Sequence, residues 1–85
     1  MRAEVFVTLN RGVLDPQGQA IARSLRALGF IEVRDVREGK YIEVEIEGVS
    51  AGEAEKRLDE MCRKLLANTV IESYRVRVAE GEAKR

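Results

Sequence analysis

A chain of 85 residues makes one small domain, buries a smaller fraction of its surface than a typical domain, and has little interior to spare for an enclosed pocket of roughly 300 to 1,000 Å³. Lys+Arg and Asp+Glu both number 15, so no net field draws nucleic acid or an acidic membrane; with no histidine, Ser-His-Asp and Cys-His arrangements are excluded and the commonest metal ligand is missing. The single cysteine, Cys62, excludes an internal disulfide and suits a reducing compartment, and no apolar run approaches the roughly 20 residues of a membrane span, so the expectation is a soluble, cytoplasmic protein.

In chain order, Ala3, Val5, Val7 and Leu9 alternate with Glu4, Phe6, Thr8 and Asn10, which predicts a strand with one apolar face. Gly12 breaks it. Asp15 followed by Pro16 supplies a capping oxygen and a residue preset for the first helical position, so a helix starts there. Ile21, Leu25 and Leu28 form its buried stripe, and Gly29 its left-handed stop. Residues 31–37 read as a second strand, although Val33 and Val36 differ in parity, which suggests a bulge or an early end. Glu38 and Gly39 turn the chain into a third strand, where Ile42, Val44 and Ile46 alternate with Glu43, Glu45 and Glu47.

Ser50 and Glu53 form a capping box for a second helix that carries Ala54, Leu58, Met61, Cys62, Leu65 and Leu66 on one side to about Ala67. Asn68 takes the left-handed stop, and a last strand spans 70–78 with Tyr74, Val76 and Val78 on one face. The order βαββαβ predicts an α+β, ferredoxin-like two-layer sandwich over residues 1–79, with a four-stranded antiparallel sheet and both helices on one face. Residues 80–85 read as a charged tail. The sheet face away from the helices shows Phe6, Thr8, the three glutamates, Arg75 and Arg77; with its mixed charge and two open edges it suits docking of another subunit.

Cys62 lies on the apolar stripe of the second helix, which suits packing better than reactivity. Glu43, Glu45 and Glu47 share a solvated strand face with nothing to raise a carboxyl pKa toward general-acid use. The turn over 12–18 opens a helix but lacks a Walker lysine-serine pair, and Asp15 at the cap repels phosphate; it is read as a structural turn presenting Leu14 and Gln17 to a partner. An RNA-recognition domain has the same element order, yet it stacks bases on aromatic residues where this chain carries glutamates. A small effector-binding regulatory domain of the ACT type is the alternative that patterning leaves open.

Three segments narrow the choice: GVLDPQG over 12–18, DVREGKYIEV over 35–44 and MCRKLLANTVIESY over 61–74. Together they resemble the PurS family, in order and spacing, over nearly the whole chain. The resemblance implies a non-catalytic accessory subunit of phosphoribosylformylglycinamidine synthase, bridging a glutaminase subunit and an ATP-dependent synthetase subunit and supporting ammonia transfer between them. It implies a homodimer or homotetramer, and no cofactor on this chain; ATP and Mg belong to the synthetase. The family has no catalytic residues to carry over. The candidates for partner contact, or for holding the contact surface, are Leu14, Asp15, Pro16, Gln17, Gly18, Arg37, Gly39, Lys40, Asn68, Glu72 and Tyr74. Among them Arg37, Lys40 and Gln17 are the polar groups expected to meet a partner, while Asp15 and Asn68 also fit helix ends and Gly39 a turn. Ser73 departs from the acidic or amide residue frequent in the family, and Glu38 occupies a variable place.

Overall fold

The computed structural model describes residues 1–79; the tail expected over 80–85 lies outside the described residues. Three strands, β1 (Arg2–Leu9), β2 (Gly39–Glu45) and β3 (Glu72–Ala79), form one antiparallel sheet in the order β2-β1-β3. Helix α1 (Pro16–Ala27) lies between β1 and β2 in the chain, and α2 (Ala51–Met61) between β2 and β3.

Alternation places Ala3, Val5 and Val7 of the central strand on the inner face, where they are almost fully buried against Leu58 and Cys62. In register, Val5 faces Ile42 on one side and Val76 on the other, while Ala3 faces Val44 and Val78, so apolar rows cross the sheet beneath α2. Burying a valine or leucine side chain contributes about 1.5–3 kcal/mol, and this seam is the centre of the core. The start of α2 follows the expected capping box: the Glu53 amide donates to Ser50 Oγ (3.2 Å) and the Ser50 amide to Glu53 Oε1 (3.3 Å).

Five expectations are corrected. The strand over 31–37 does not form, and the sheet has three strands rather than four. Val33 and Val36, of opposite parity, give the segment no continuous apolar face, and Ile31 is exposed. Its hydrogen-bonding groups go elsewhere: the Val33 amide donates back to the Phe30 carbonyl, and the Val33 carbonyl accepts from Arg26 Nη1 (3.0 Å).

Nor do both helices cover the sheet. Only α2 packs on a strand; α1 makes no substantial contact with any strand or with α2, and the stripe expected to be buried is largely open, Leu28 being 74% exposed. The Cα radius of gyration is 16.2 Å, against about 12 Å for a compact domain of this length, and the extents are 49 × 31 × 14 Å. Residues 10–38 thus form an arm projecting from a sheet-and-helix body. The arm's turn after α1 does end as predicted: Gly29 has φ +109°, its amide bonds the Arg26 carbonyl, and the Phe30 amide reaches back to Leu25, a Schellman stop.

The second helix does not remain α-helical to Ala67. It changes at Cys62 into a π-helical turn over Cys62–Leu66, closed by the Ala67 amide on the Cys62 carbonyl (2.9 Å). Asn68 does not take a left-handed conformation, since among the described residues positive φ occurs only at glycines. Instead its side-chain oxygen accepts from the Val70 amide (3.2 Å), its own amide donates to Glu72 Oε1 (2.7 Å), and β3 starts at Glu72. Gly39, expected in a turn, begins β2; a Cβ there would lie 2.2 Å from the Val7 carbonyl oxygen.

Candidate interaction surface

The end of the sheet where β1 finishes brings together 12–18, the beginning of 35–44 and the later part of 61–74, with Gly39 facing Thr8 and Glu72 facing Leu9. Leu9 and Asn10 are the hub. On one side Arg37 Nη2 donates to the carbonyls of Leu9 (2.7 Å) and Asn10 (3.2 Å). On the other, the Asn10 amide donates to the Ile71 carbonyl (2.8 Å), and the Ser73 hydroxyl hydrogen-bonds the Asn10 side chain. Ser73, the departure from the family pattern, is therefore used inside the fold.

Asp15 is buried at the base of α1. Its carboxylate caps the helix by accepting from the Gly18 amide (2.9 Å), accepts from the Glu38 amide (2.9 Å), and faces Arg37 Nε at 3.6 Å. Those two amides, with the Arg37 charge beside them, hold the carboxyl below its ordinary value of 3.8. Gly18 is the close-approach point, because a Cβ there would lie 2.2 Å from the Val36 carbonyl oxygen. Leu14, Pro16 and Gln17 surround this junction and stay exposed.

The remaining candidates sit on the body. Lys40 Nζ donates to the Leu66 carbonyl at the end of the π turn (3.3 Å), Asn68 and Glu72 hold each other, and the Tyr74 hydroxyl bonds Asp59 of α2. Asp59 also pairs with Arg63 at 2.8 Å, and the Tyr74 bond, then Arg63, lowers its carboxyl pKa. Many of the candidate side chains are thus tied inside the fold, leaving the exposed apolar groups as the surface with most to gain by being covered. Leu14, Leu28, Phe30 and Ile31 line the arm; Leu65 and Val70 lie on and after the π turn, each 82% exposed. An open groove of about 540 Å³ runs between β2 and the π turn, with Val44, Met61, Leu65 and Leu66 as its apolar lining and Arg57, Glu60 and Lys64 as its polar one.

Sequence reasoning missed two groups. Asp59 was passed over because it lies beside the apolar stripe. Glu4 is buried on the outer face, held by Arg77 (Nε–Oε1 2.9 Å), by Arg2 at 3.5 Å and by the Tyr41 hydroxyl at 3.0 Å. Strand alternation places Glu4 outward; its burial comes from long neighbours leaning over it from β2 and β3. The Tyr41 hydroxyl shares its one proton between Glu43 (2.8 Å) and Glu4, and is pushed up to about 12 by the Glu43 bond first and burial next. This face carries mixed charge, as expected, and on it Arg75 stacks over Phe6 at 4.7 Å. Cys62 is buried in the core, and burial followed by the Asp59 charge pushes its thiol upward. Among the described residues no cluster of three His, Cys, Asp or Glu is placed to hold a metal, and no helix is long and apolar enough to cross a membrane.

Comparison with known proteins places this arrangement. The sequence model of the PurS family, described as phosphoribosylformylglycinamidine (FGAM) synthase, matches residues 2–80. The PurS subunit of that synthase from Bacillus subtilis is 49% identical over 83 residues, 98% of each chain. The crystal structure of Methanocaldococcus jannaschii PurS superposes with a TM-score of 0.86 at 40% identity, covering 95% of this chain and 98% of the other. A chain in the structure of PurLQS from Thermotoga maritima gives 0.82 at 34% identity, covering 89% and 93%. With the family model matching nearly the whole chain and parts of all three family-like segments meeting at one end of a PurS-like fold, the chain belongs to the PurS family of phosphoribosylformylglycinamidine synthase subunits.

Proposed function

We propose that this chain is a non-catalytic accessory subunit of a glutamine-dependent phosphoribosylformylglycinamidine synthase in the cytoplasm, bridging the glutaminase and the ATP-dependent synthetase, with ATP and Mg bound by the synthetase. The observation that carries the reading is the likeness to a chain in the structure of PurLQS from Thermotoga maritima. Ammonia released at one site must reach another without taking up a proton, which removes the lone pair that attacks. A subunit that holds two catalytic partners together supplies proximity, not bond making.

The chain does this as a homodimer or higher oligomer. A chain only 14 Å across its shortest axis, with Leu14, Leu28, Phe30 and Ile31 uncovered on its arm, leaves apolar surface that a second copy or a larger partner buries to advantage. Reconstitution with the two catalytic subunits tests the bridge. Omitting this chain removes glutamine-dependent turnover while leaving turnover with added ammonium salt; equal glutamine-dependent rates with and without it overturn the reading.

A further inference from the structure

The arm over 10–38 leaves the body and returns to it through one narrow neck, and the neck is tied by the hydrogen bonds and opposite charges of Asp15 and Arg37. The outgoing chain passes Leu9, Asn10 and Asp15; the returning chain passes Val36, Arg37 and Glu38. Asp15 bonds the returning Glu38 amide at 2.9 Å, and Arg37 bonds the outgoing carbonyls of Leu9 and Asn10 at 2.7 and 3.2 Å. The two side chains face each other at 3.6 Å. Gly18, with no side chain, lets the Val36 carbonyl reach the first turn of α1. Within one chain α1 has no substantial packing on the sheet or on α2, so the contacts that tie its start to the body are those of this closure.

We propose that Asp15 and Arg37 form a joint that sets the angle at which α1 leaves the sheet, making Arg37 a positioning residue for the surface α1 presents rather than a group that touches a partner. An arginine suits the task because its planar fork reaches two carbonyls and a carboxylate at once, whereas a lysine supplies one point charge. Asp15 is buried enough that its two amide donors are not replaced by water without opening the neck. This inference concerns the isolated chain and stands or falls independently of the bridging role.

The test is the distribution of distances between spin labels at Arg23→Cys on α1 and Lys56→Cys on α2, in labelled chain diluted with unlabelled chain; the buried Cys62 stays unlabelled. The parent protein gives one narrow distribution. Asp15→Asn, which keeps an acceptor for the Gly18 amide but loses the charge and the Glu38 bond, and Arg37→Ala both broaden it. In both variants the arm amides of Gln19, Phe30 and Val33 exchange with solvent about tenfold faster, while amides of β1 and β3 change little. Arg37→Lys falls between parent and Arg37→Ala. Narrow, unshifted distributions in Asp15→Asn and Arg37→Ala overturn the proposal. Should Arg37→Ala not fold, Arg37→Lys and Arg37→Gln carry the comparison: a narrower distribution for the lysine supports the joint, and equal widths overturn it.

Discussion

The hydroxyl of Tyr74, on the edge strand β3, donates a hydrogen bond to the carboxylate of Asp59 on α2 and so ties the covering helix to the sheet it covers. Arg63 takes the same carboxylate from the other side, with Nε at 2.9 Å. The Tyr74 bond is the first cause of the lowered Asp59 pKa. Tyr74→Phe is therefore expected to raise the Asp59 carboxyl pKa toward its ordinary value and to loosen the last turns of α2. Carbon-detected carboxyl titration by NMR reads the first effect and amide exchange over α2 the second; an unmoved Asp59 titration contradicts the argument.

Glu4, Asp15 and Asp59 all have carboxyl pKa values lowered in the fold, from ordinary values of 4.5, 3.8 and 3.8. A depressed folded-state pKa means that the unfolded chain takes up protons first as the pH falls. Each group's stabilising contribution is thus complete above its unfolded value and is lost as the pH drops through the folded value. Urea midpoints are expected to be flat from neutrality down to about pH 5 and to decline below it. Glu4→Gln keeps the shape but not the charge facing Tyr41 and Arg77, so it lowers the neutral-pH midpoint and flattens the acid limb. An acid limb identical to that of the parent rules Glu4 out as a contributor.

Much of this fold could be read from local pattern. The alternation of β1, the Ser50–Glu53 capping box, the Asp15–Pro16 helix start and the Gly29 stop each rest on residues within one turn or strand, where steric and hydrogen-bonding demands are local. What failed most was how elements pair with and cover one another. The apolar content of 31–37 argues for a strand only if one face is continuous, and Val33 and Val36 already broke that condition. The stripe of α1 says that a face is to be covered without saying by what, so a helix standing off its own sheet looks the same as one lying on it.

The same division holds for the surface. Asp15 was legible as a helix cap, but its bonds to Glu38 and Arg37 depend on where the chain returns after α1. Arg37 looked like a free polar group in a turn because its acceptors are backbone carbonyls, which every residue carries and no pattern reveals. The π turn has no side-chain cap of its own to announce it.

Two leucines on the same helical stretch separate stability from association. Leu58 is fully buried beneath the sheet, and Leu58→Ala is expected to cost about 2–5 kcal/mol in urea unfolding. Leu65, displaced outward by the π turn, is 82% exposed, so Leu65→Ala is expected to change monomer stability by less than about 0.5 kcal/mol. If the groove beside it is an assembly surface, Leu65→Ala nevertheless weakens self-association or binding of the catalytic subunits, measurable by sedimentation and by pull-down. Equal loss of stability in both variants places Leu65 in the core and contradicts the exposed position.

Two glycines give opposite signs for one substitution. At Gly39 an added Cβ meets the Val7 carbonyl oxygen at 2.2 Å and Thr8 Cγ2 at 2.8 Å, and the carbonyl belongs to the central strand, which cannot give way without disturbing both of its ladders. At Gly52, in the first turn of α2, nothing lies within 4 Å of the added atom and φ is ordinary. Gly52→Ala is accordingly expected to stabilise the chain by about 0.4–1 kcal/mol, chiefly by narrowing the unfolded ensemble. Gly39→Ala loses that gain to the clash and is destabilised overall, with the earliest sign a faster exchange of the amides pairing β1 to β2 at the Thr8–Gly39 end. Stabilisation by both alanines would mean that β1 and β2 can part there at no cost, and that the close approach at Gly39 does not constrain the sheet.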